Sequence, residues 1–209
     1  SYAFADCTKL ISVTIVGPAS IGLSAFSNCS NLQTLDLGDQ ITEIGNGAFS
    51  KCVSLEKVQI PETVSLIGLR AFADCTALQE ITLPDVSIHI MGDIIDATAY
   101  YKNLQNWQEG ALYVGNHLLE VNDQIDGKSR TSYDIREGTV TVADYALSVC
   151  SSLKQLTFPS SLRRIGSYMI GRSSLTSIVL PDGLISIGDY CFRNSPSLTS
   201  ITLPDSVRD

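Results

Sequence analysis

The chain has 209 residues, 44% of them hydrophobic and only 17% charged, with a net charge of −8. That hydrophobic share excludes a disordered polymer. The 14 Lys and Arg residues are dispersed, with Arg163-Arg164 the longest basic run, which excludes the clustered cations that a nucleic-acid partner needs. No apolar run reaches the roughly 20 residues that span a bilayer, and no signal peptide opens the chain.

From Ser1 onward a phrase of about 23 residues recurs. Its clearest copies are Ala48-Phe49-x-x-Cys52-x-x-Leu55-x-x-Val58-x-Ile60-Pro61-x-x-Val64-x-x-Ile67-Gly68 and Ala71-Phe72-x-x-Cys75-x-x-Leu78-x-x-Ile81-x-Leu83-Pro84. A unit this short cannot bury its own apolar face, so a fixed period of this length predicts a solenoid whose stacked units share one core. Aligned on the aromatic, the units fall at Phe4, Phe26, Phe49 and Phe72, then at Leu147, Ile170 and Phe192. Within each, Leu-x-x-Ile-x-Leu reads as one half-buried strand, because its last apolar positions alternate with polar ones. Pro61, Pro84, Pro159, Pro181 and Pro204 follow directly and end it. Gly45, Gly68, Gly166 and Gly188 are expected to supply a tight turn. Phe and Cys three apart in Ala-Phe-x-x-Cys fit a short helical turn packing inward.

Equivalent strands must pair from unit to unit as a parallel sheet, about 4.8 Å apart. The turn side is the bulkier, so the stack is expected to curve with the sheet inside. The fold class is an α/β solenoid, a right-handed leucine-rich-repeat arc with the sheet concave and short helical turns convex.

Residues 92–129 lack the phrase and divide repeats 1–91 from repeats 130–209 of one continuous solenoid domain. Counting back from Val142 places the resumed strand at Ser132–Ile135 and brings the total to eight. Leu112-Tyr113-Val114 and Leu118-Leu119-Glu120-Val121 flank Gly115-Asn116, a β-hairpin signal. The insert holds the only Trp, Trp107, with Tyr100, Tyr101, Tyr113 and His117. Surface aromatics there would stack on sugars or anchor a protein. The favoured reading is that they glue the hairpin to the solenoid, since an isolated hairpin needs packing of its own.

Little points to chemistry. Cys7, Cys29, Cys52, Cys75 and Cys150 share one repeat position, while Cys191 takes the Ala place. No Cys-x2-Cys pair suggests zinc, and a register-locked column reads as buried free thiols. His89 reads as a packing residue. Asp126-Gly127 and Asp182-Gly183 read as turns, because the calcium-loop spacing is absent. No nucleophile–base pair, phosphate loop or glycosidase carboxylate pair can be named. We therefore expect no catalytic, metal or cofactor site and no enzyme.

Side chains between the inward strand positions are the candidate contact residues. Thr14, Asp36, Gln59, Thr82, Asp134, Thr157, Val179 and Thr202 form one column, and Ser12, Thr34, Lys57, Glu80, Ser132, Gln155, Ser177 and Ser200 its neighbour. Asp36, Lys57, Gln59, Glu80, Thr82 and Thr157, with Tyr100, Tyr101, Trp107 and Tyr113 of the insert, are the candidate partner-binding set. Ser and Thr are also ordinary solvent-side sheet residues.

The phrase Ser54-Leu55…Ile60-Pro61…Val64…Ile67-Gly68…Ala71-Phe72…Cys75 resembles the BspA-like leucine-rich repeats of bacterial surface proteins, over about 160 of the 209 residues. The stretch from Tyr100 through Trp107 to Leu118 is similar to the insert of many such proteins. The resemblance implies an extracellular, surface-attached module for adhesion to, or recognition of, a host or matrix protein or glycan. A non-binding spacer in a larger surface protein is the alternative. The chain opens inside a repeat and stops soon after Pro204, which reads as a piece of a longer protein. In isolation a monomer is expected.

Overall fold

The computed structural model of the protein describes residues 1–127 and 129–208. Lys128 and Asp209, inside the expected 92–129 and 130–209 spans, lie outside the described residues. Two compact units divide the chain, Ser1–Asn106 and Trp107–Asp209. Each is a parallel β-solenoid, and together they hold eight front strands, four to a unit.

In the first unit the front strands are Ser12–Thr14, Thr34–Asp36, Lys57–Gln59 and Glu80–Thr82. In the second they are Ser132–Asp134, Gln155–Thr157, Ser177–Val179 and Ser200–Thr202. Their central residues Val13, Val58, Ile81, Leu156 and Ile178 are buried while both flanking residues of each strand are exposed. That alternation is the two-residue period of the sequence made physical. Pairing runs two by two: Thr34–Asp36 with Ser12–Thr14, and Lys57–Gln59 with Glu80–Thr82, then the same in the second unit. The expected sheet is therefore a set of two-stranded pairs.

The expectation of one strand per unit is corrected as well. The Val-x-x-Ile segment makes a second, lateral ladder of very short strands. In the first unit these are Ala19–Ile21, Ile41–Ile44, Leu66–Ile67 and His89–Ile90, all parallel. In the second, His117–Val121, Thr141–Val142, Arg164–Ile165 and Ser186–Ile187 do the same. The glycine that follows does not supply a left-handed turn. A Cβ on Gly68 would lie 2.4 Å from the Asn46 nitrogen, and one on Gly188 would lie 2.3 Å from the Ser167 nitrogen. Glycine stands there because adjacent rungs touch backbone to backbone.

The Ala-Phe-x-x-Cys stretch is not helical either. It is a run of overlapping turns, in which Ala48, Ser50 and Cys52 donate backwards to the carbonyls of Gly45, Gly47 and Phe49. The alternate N–H groups of Gly47, Phe49 and Lys51 donate onward to Leu69, Ala71 and Ala73 of the next rung. This alternation requires a left-handed residue every fourth position, as at Arg70 (φ 55°) and Asp74 (φ 61°). All the backbone polar groups so placed are satisfied without a helix. Short helices occur at Ala99–Lys102 and Asp123–Asp126; Gly127 caps the second in the left-handed conformation, so Asp126-Gly127 is a helix end.

The phrase ends at residue 91 but its geometry does not. Phe72 and Asp74 donate to the carbonyls of Ile94 and Asp96, and Thr98 occupies the cysteine place. Its hydroxyl donates to Ile95 O at 2.7 Å and accepts from Tyr101 N at 3.0 Å, which starts the helix. In the second unit, Ala111–Val114 runs antiparallel to His117–Val121 across Gly115 and Asn116, and Trp107–Gln108 adds one more antiparallel strand. These strands cover what would otherwise be an open edge of the lateral ladder.

The core is one column of side chains per repeat position. Phe26, Phe49 and Phe72 are buried and stack at 5.2 and 5.3 Å between ring centroids. All six cysteines are free. Cys29, Cys52 and Cys75 donate their thiols to the carbonyls of Phe4, Phe26 and Phe49, and Cys150 to that of Val121. Val121 thus holds the aromatic's place in its rung. Cys7, expected in the buried column, is exposed.

Candidate functional site

The front strands carry six of the candidate residues on exposed positions. In the first unit, Lys57 and Gln59 lie directly beside Glu80 and Thr82 in the parallel register. They line a hollow of about 440 Å³ with Glu62. Asp36 and Gln59 line a second, of about 410 Å³, with Asp39 and Pro61. In the second unit, Thr157 shares a hollow of about 540 Å³ with Asp134, Lys154, Gln155 and Ser177. The second and third reach across lapses in pairing, between Thr34–Asp36 and Lys57–Gln59 and between Gln155–Thr157 and Ser177–Val179, whereas the first lies mainly over the paired strands Lys57–Gln59 and Glu80–Thr82. A break in the ladder leaves room between rungs, and polar side chains fill its rim.

The aromatics of the expected insert are placed differently. Tyr100 and Tyr101 are half-buried on the helix that ends the first unit. The Tyr100 N–H donates to Leu78 O at 2.7 Å, and burial raises the Tyr100 phenol pKa. Trp107 and Tyr113 belong to the second unit and are buried, at 7% and 8% exposure. The Tyr113 hydroxyl is 3.1 Å from that of Tyr133, and the Arg136 guanidinium lies over the Tyr113 ring at 4.1 Å. Burial, more than the neighbouring Tyr113, pushes the Tyr133 phenol well above its ordinary range. Tyr100 and Tyr101 thus stand partly open to solvent in the first unit, and Trp107 and Tyr113 are packed within the second.

Among the described residues no three of His, Cys, Asp and Glu are grouped to hold a metal. No described helix is long and apolar enough to cross a membrane. Burial raises the Cys29 thiol pKa to about 11, with the Cys52 thiol adding to it. Cys52 is pushed higher still, first by its contact with the Cys75 thiol and then by burial. These sulfurs stay protonated near neutral pH, as donors to the next rung, and are poor nucleophiles.

One row escaped the sequence reading. Tyr145, Tyr168 and Tyr190 sit two residues before the core position of three consecutive rungs. They stack at 5.2 and 4.9 Å on the outside of the second unit, with Tyr145 45% and Tyr190 57% exposed. The signal was a Tyr recurring at intervals of 23 and 22 residues, outside the inward columns.

The repeat geometry coincides with a family pattern. The BspA type leucine rich repeat region matches residues 1–108 and 125–209 in six copies. The chain belongs to the BspA-type leucine-rich repeat family. Among solved structures, this BspA-type chain is similar to a leucine rich cell surface protein from Faecalibacterium prausnitzii A2-165. The two are 24% identical, the match covers 99% of this chain and 70% of that one, and the TM-score is 0.46. It is also similar to a leucine-rich repeat protein from Bacteroides ovatus ATCC 8483, at 23% identity over 99% and 53% of the two chains, with a TM-score of 0.39. A third is the pneumococcal vaccine antigen PcpA, at 19% identity over 93% and 62%, with a TM-score of 0.40. The chain thus spans little more than half the length of the second of these and about six-tenths of the third. No curated protein matches it.

Proposed function

We propose that this BspA-type chain is an extracellular, surface-displayed recognition module that binds a host or matrix protein or glycan on its front strands. The observation that carries this reading is the set of hollows of about 410, 440 and 540 Å³, rimmed by Asp36, Lys57, Gln59, Glu80, Thr82 and Thr157. A rigid row of rungs presents them at a fixed step, so several weak contacts add through avidity. In this reading the front strands line the concave side of a right-handed arc and the turns its convex side. Family membership supports display at a cell surface, and no catalytic group needs a place in it. Tyr113 backs the front strand Ser132–Asp134 through its contact with Tyr133.

The test is binding to arrays of matrix proteins and glycans by the native chain and by a Lys57→Ala/Gln59→Ala/Glu80→Ala variant of matched thermal stability. Binding lost in the variant is the expected result. Binding retained would move recognition off the front strands. An array silent toward the native chain would favour a spacer that holds another domain away from the surface.

A further inference from the structure

The exposed tyrosine row has features that its position in the repeat does not explain. Tyr145, Tyr168 and Tyr190 adopt φ values of 63°, 52° and 56°. Left-handed backbone costs an L-residue with a Cβ roughly 1–2 kcal/mol, and a bulky aromatic there is uncommon. The same position in the first unit holds Tyr2, Ser24, Gly47, Arg70 and Asp93, so four of its five rungs make the turn without an aromatic. Nor does the core, since the rings lie outside it. Mutual stacking returns part of the cost, but it would do so equally well with smaller exposed area.

Beside the row lies a cavity of about 460 Å³ lined by the three tyrosines and by Arg172, Arg193 and Asn194, with no carboxylate in its wall. The Arg193 guanidinium stands 5.2 Å from the centre of the Tyr190 ring. The first unit shows what an arginine on this side of a rung does when it is structural. Arg70 is paired with Asp74 at 3.1 Å and Asp96 at 3.2 Å. Among the described residues Arg172 and Arg193 have no such acid. In a chain of net charge −8, two exposed guanidiniums without acids make a local positive site. Distant carboxylates matter little to it, because charges further than about 8 Å are screened at physiological salt.

The ring faces are turned toward one another, so a ligand meets their edges, which carry the positive end of the aromatic quadrupole, together with phenolic hydroxyls and guanidinium donors. Everything offered suits an anion rich in oxygen. The tyrosines recur at one rung step, about 5 Å, which suits a repeating polymer better than a peptide of changing side chains. We propose that Tyr145, Tyr168 and Tyr190, with Arg172 and Arg193, form a binding site for a carboxylate-bearing polysaccharide. Its carboxylates pair with the guanidiniums, and its hydroxyls exchange hydrogen bonds with the tyrosine edge. This site lies on the turn side of the second unit and extends the recognition reading without depending on the front strands.

The test is calorimetric titration of the chain with polygalacturonate, with neutral dextran and poly-glutamate as comparisons. Polygalacturonate is expected to bind, more weakly as salt rises, and dextran is not. Arg172→Gln/Arg193→Gln should weaken binding at least about tenfold, as expected for the loss of two charge-assisted contacts. Tyr168→Phe, which keeps the stack and removes one hydroxyl, should weaken it about threefold, and it serves if the double variant is poorly folded. The Lys57→Ala/Gln59→Ala/Glu80→Ala variant should bind like the native chain. Loss in that variant alone would place the polysaccharide on the front strands and overturn the site proposed here. Equal binding of dextran, preference for poly-glutamate, or no binding of polygalacturonate would also overturn it.

Discussion

Each unit carries a stack of aromatic rings at nearly the same step, buried in the first and exposed in the second. In the first, Phe26, Phe49 and Phe72 stack inward at 5.2 and 5.3 Å. In the second, Tyr145, Tyr168 and Tyr190 stack outward at 5.2 and 4.9 Å, while Leu147, Ile170 and Phe192 take the inner place of the same rungs. Two residues separate the inner from the outer position in every rung. Rung spacing alone therefore aligns rings into a column. Whether the column builds the core or the surface is decided by which side of the turn carries the aromatic.

The sharpest way to break this comparison is Phe49→Ala. Its ring is fully buried between two others, and the lost transfer energy plus the cavity should cost about 3–5 kcal/mol in urea unfolding. A loss below about 1 kcal/mol would mean that the rungs collapse around the gap and that the inner stack is not what holds them. Next come Gly68→Ala and Gly188→Ala, one in each unit. The added methyl meets backbone at 2.4 and 2.3 Å, and overpacking of this kind costs about 1–3 kcal/mol. Similar losses in both would establish that the turn geometry is the same beneath both stacks, and a neutral Gly188→Ala would separate them. Tyr168→Ala should cost less, about 0.5–1.5 kcal/mol from lost stacking, with the left-handed cost retained because alanine keeps its Cβ.

The smallest effects concern the thiols beside the inner stack. In the native protein Cys29, Cys52, Cys75, Cys150 and Cys191 should resist a thiol reagent, since they are buried, and urea should expose them. Cys29 ionises near pH 11 folded against an ordinary 9.0. Its folded value is the higher one, so its contribution to stability is complete below pH 9 and is lost as pH rises through 11. A melting temperature that climbs across that window would contradict the burial of the column.

The front strands were legible because Leu-x-x-Ile-x-Leu alternates over enough residues to declare a face. Even Ser132–Asp134 could be counted back from Val142, and Ile135 is buried, with its N–H on Thr157 O as that of Ile60 is on Thr82 O. The lateral ladder was not legible, since strands such as Leu66–Ile67 are too short to show a period. Gly68 was read as a turn because steric contact between rungs leaves no trace in one rung's sequence. Ile94, Ile95 and Thr98 extend the ladder past residue 91 because the turns depend on backbone hydrogen bonds, which Thr satisfies in the place of Cys. Of the candidate site, the exposed polar columns followed from alternation. The packing of Trp107 and Tyr113 followed from the hairpin's need for support, but the partners of Tyr113, Tyr133 and Arg136, 20 and 23 residues away, did not. The tyrosine row was missed because attention to inward positions passes over a period on the outside.

The most direct test is to measure Tyr168→Ala for melting temperature and for polygalacturonate affinity in the same preparation. If the outer stack serves binding and the inner one folding, the melting temperature should fall by only a few degrees while affinity drops about tenfold or more. A collapse in stability comparable to that of Phe49→Ala, with affinity unchanged, would make the tyrosine row a second structural column and contradict the division of labour argued here.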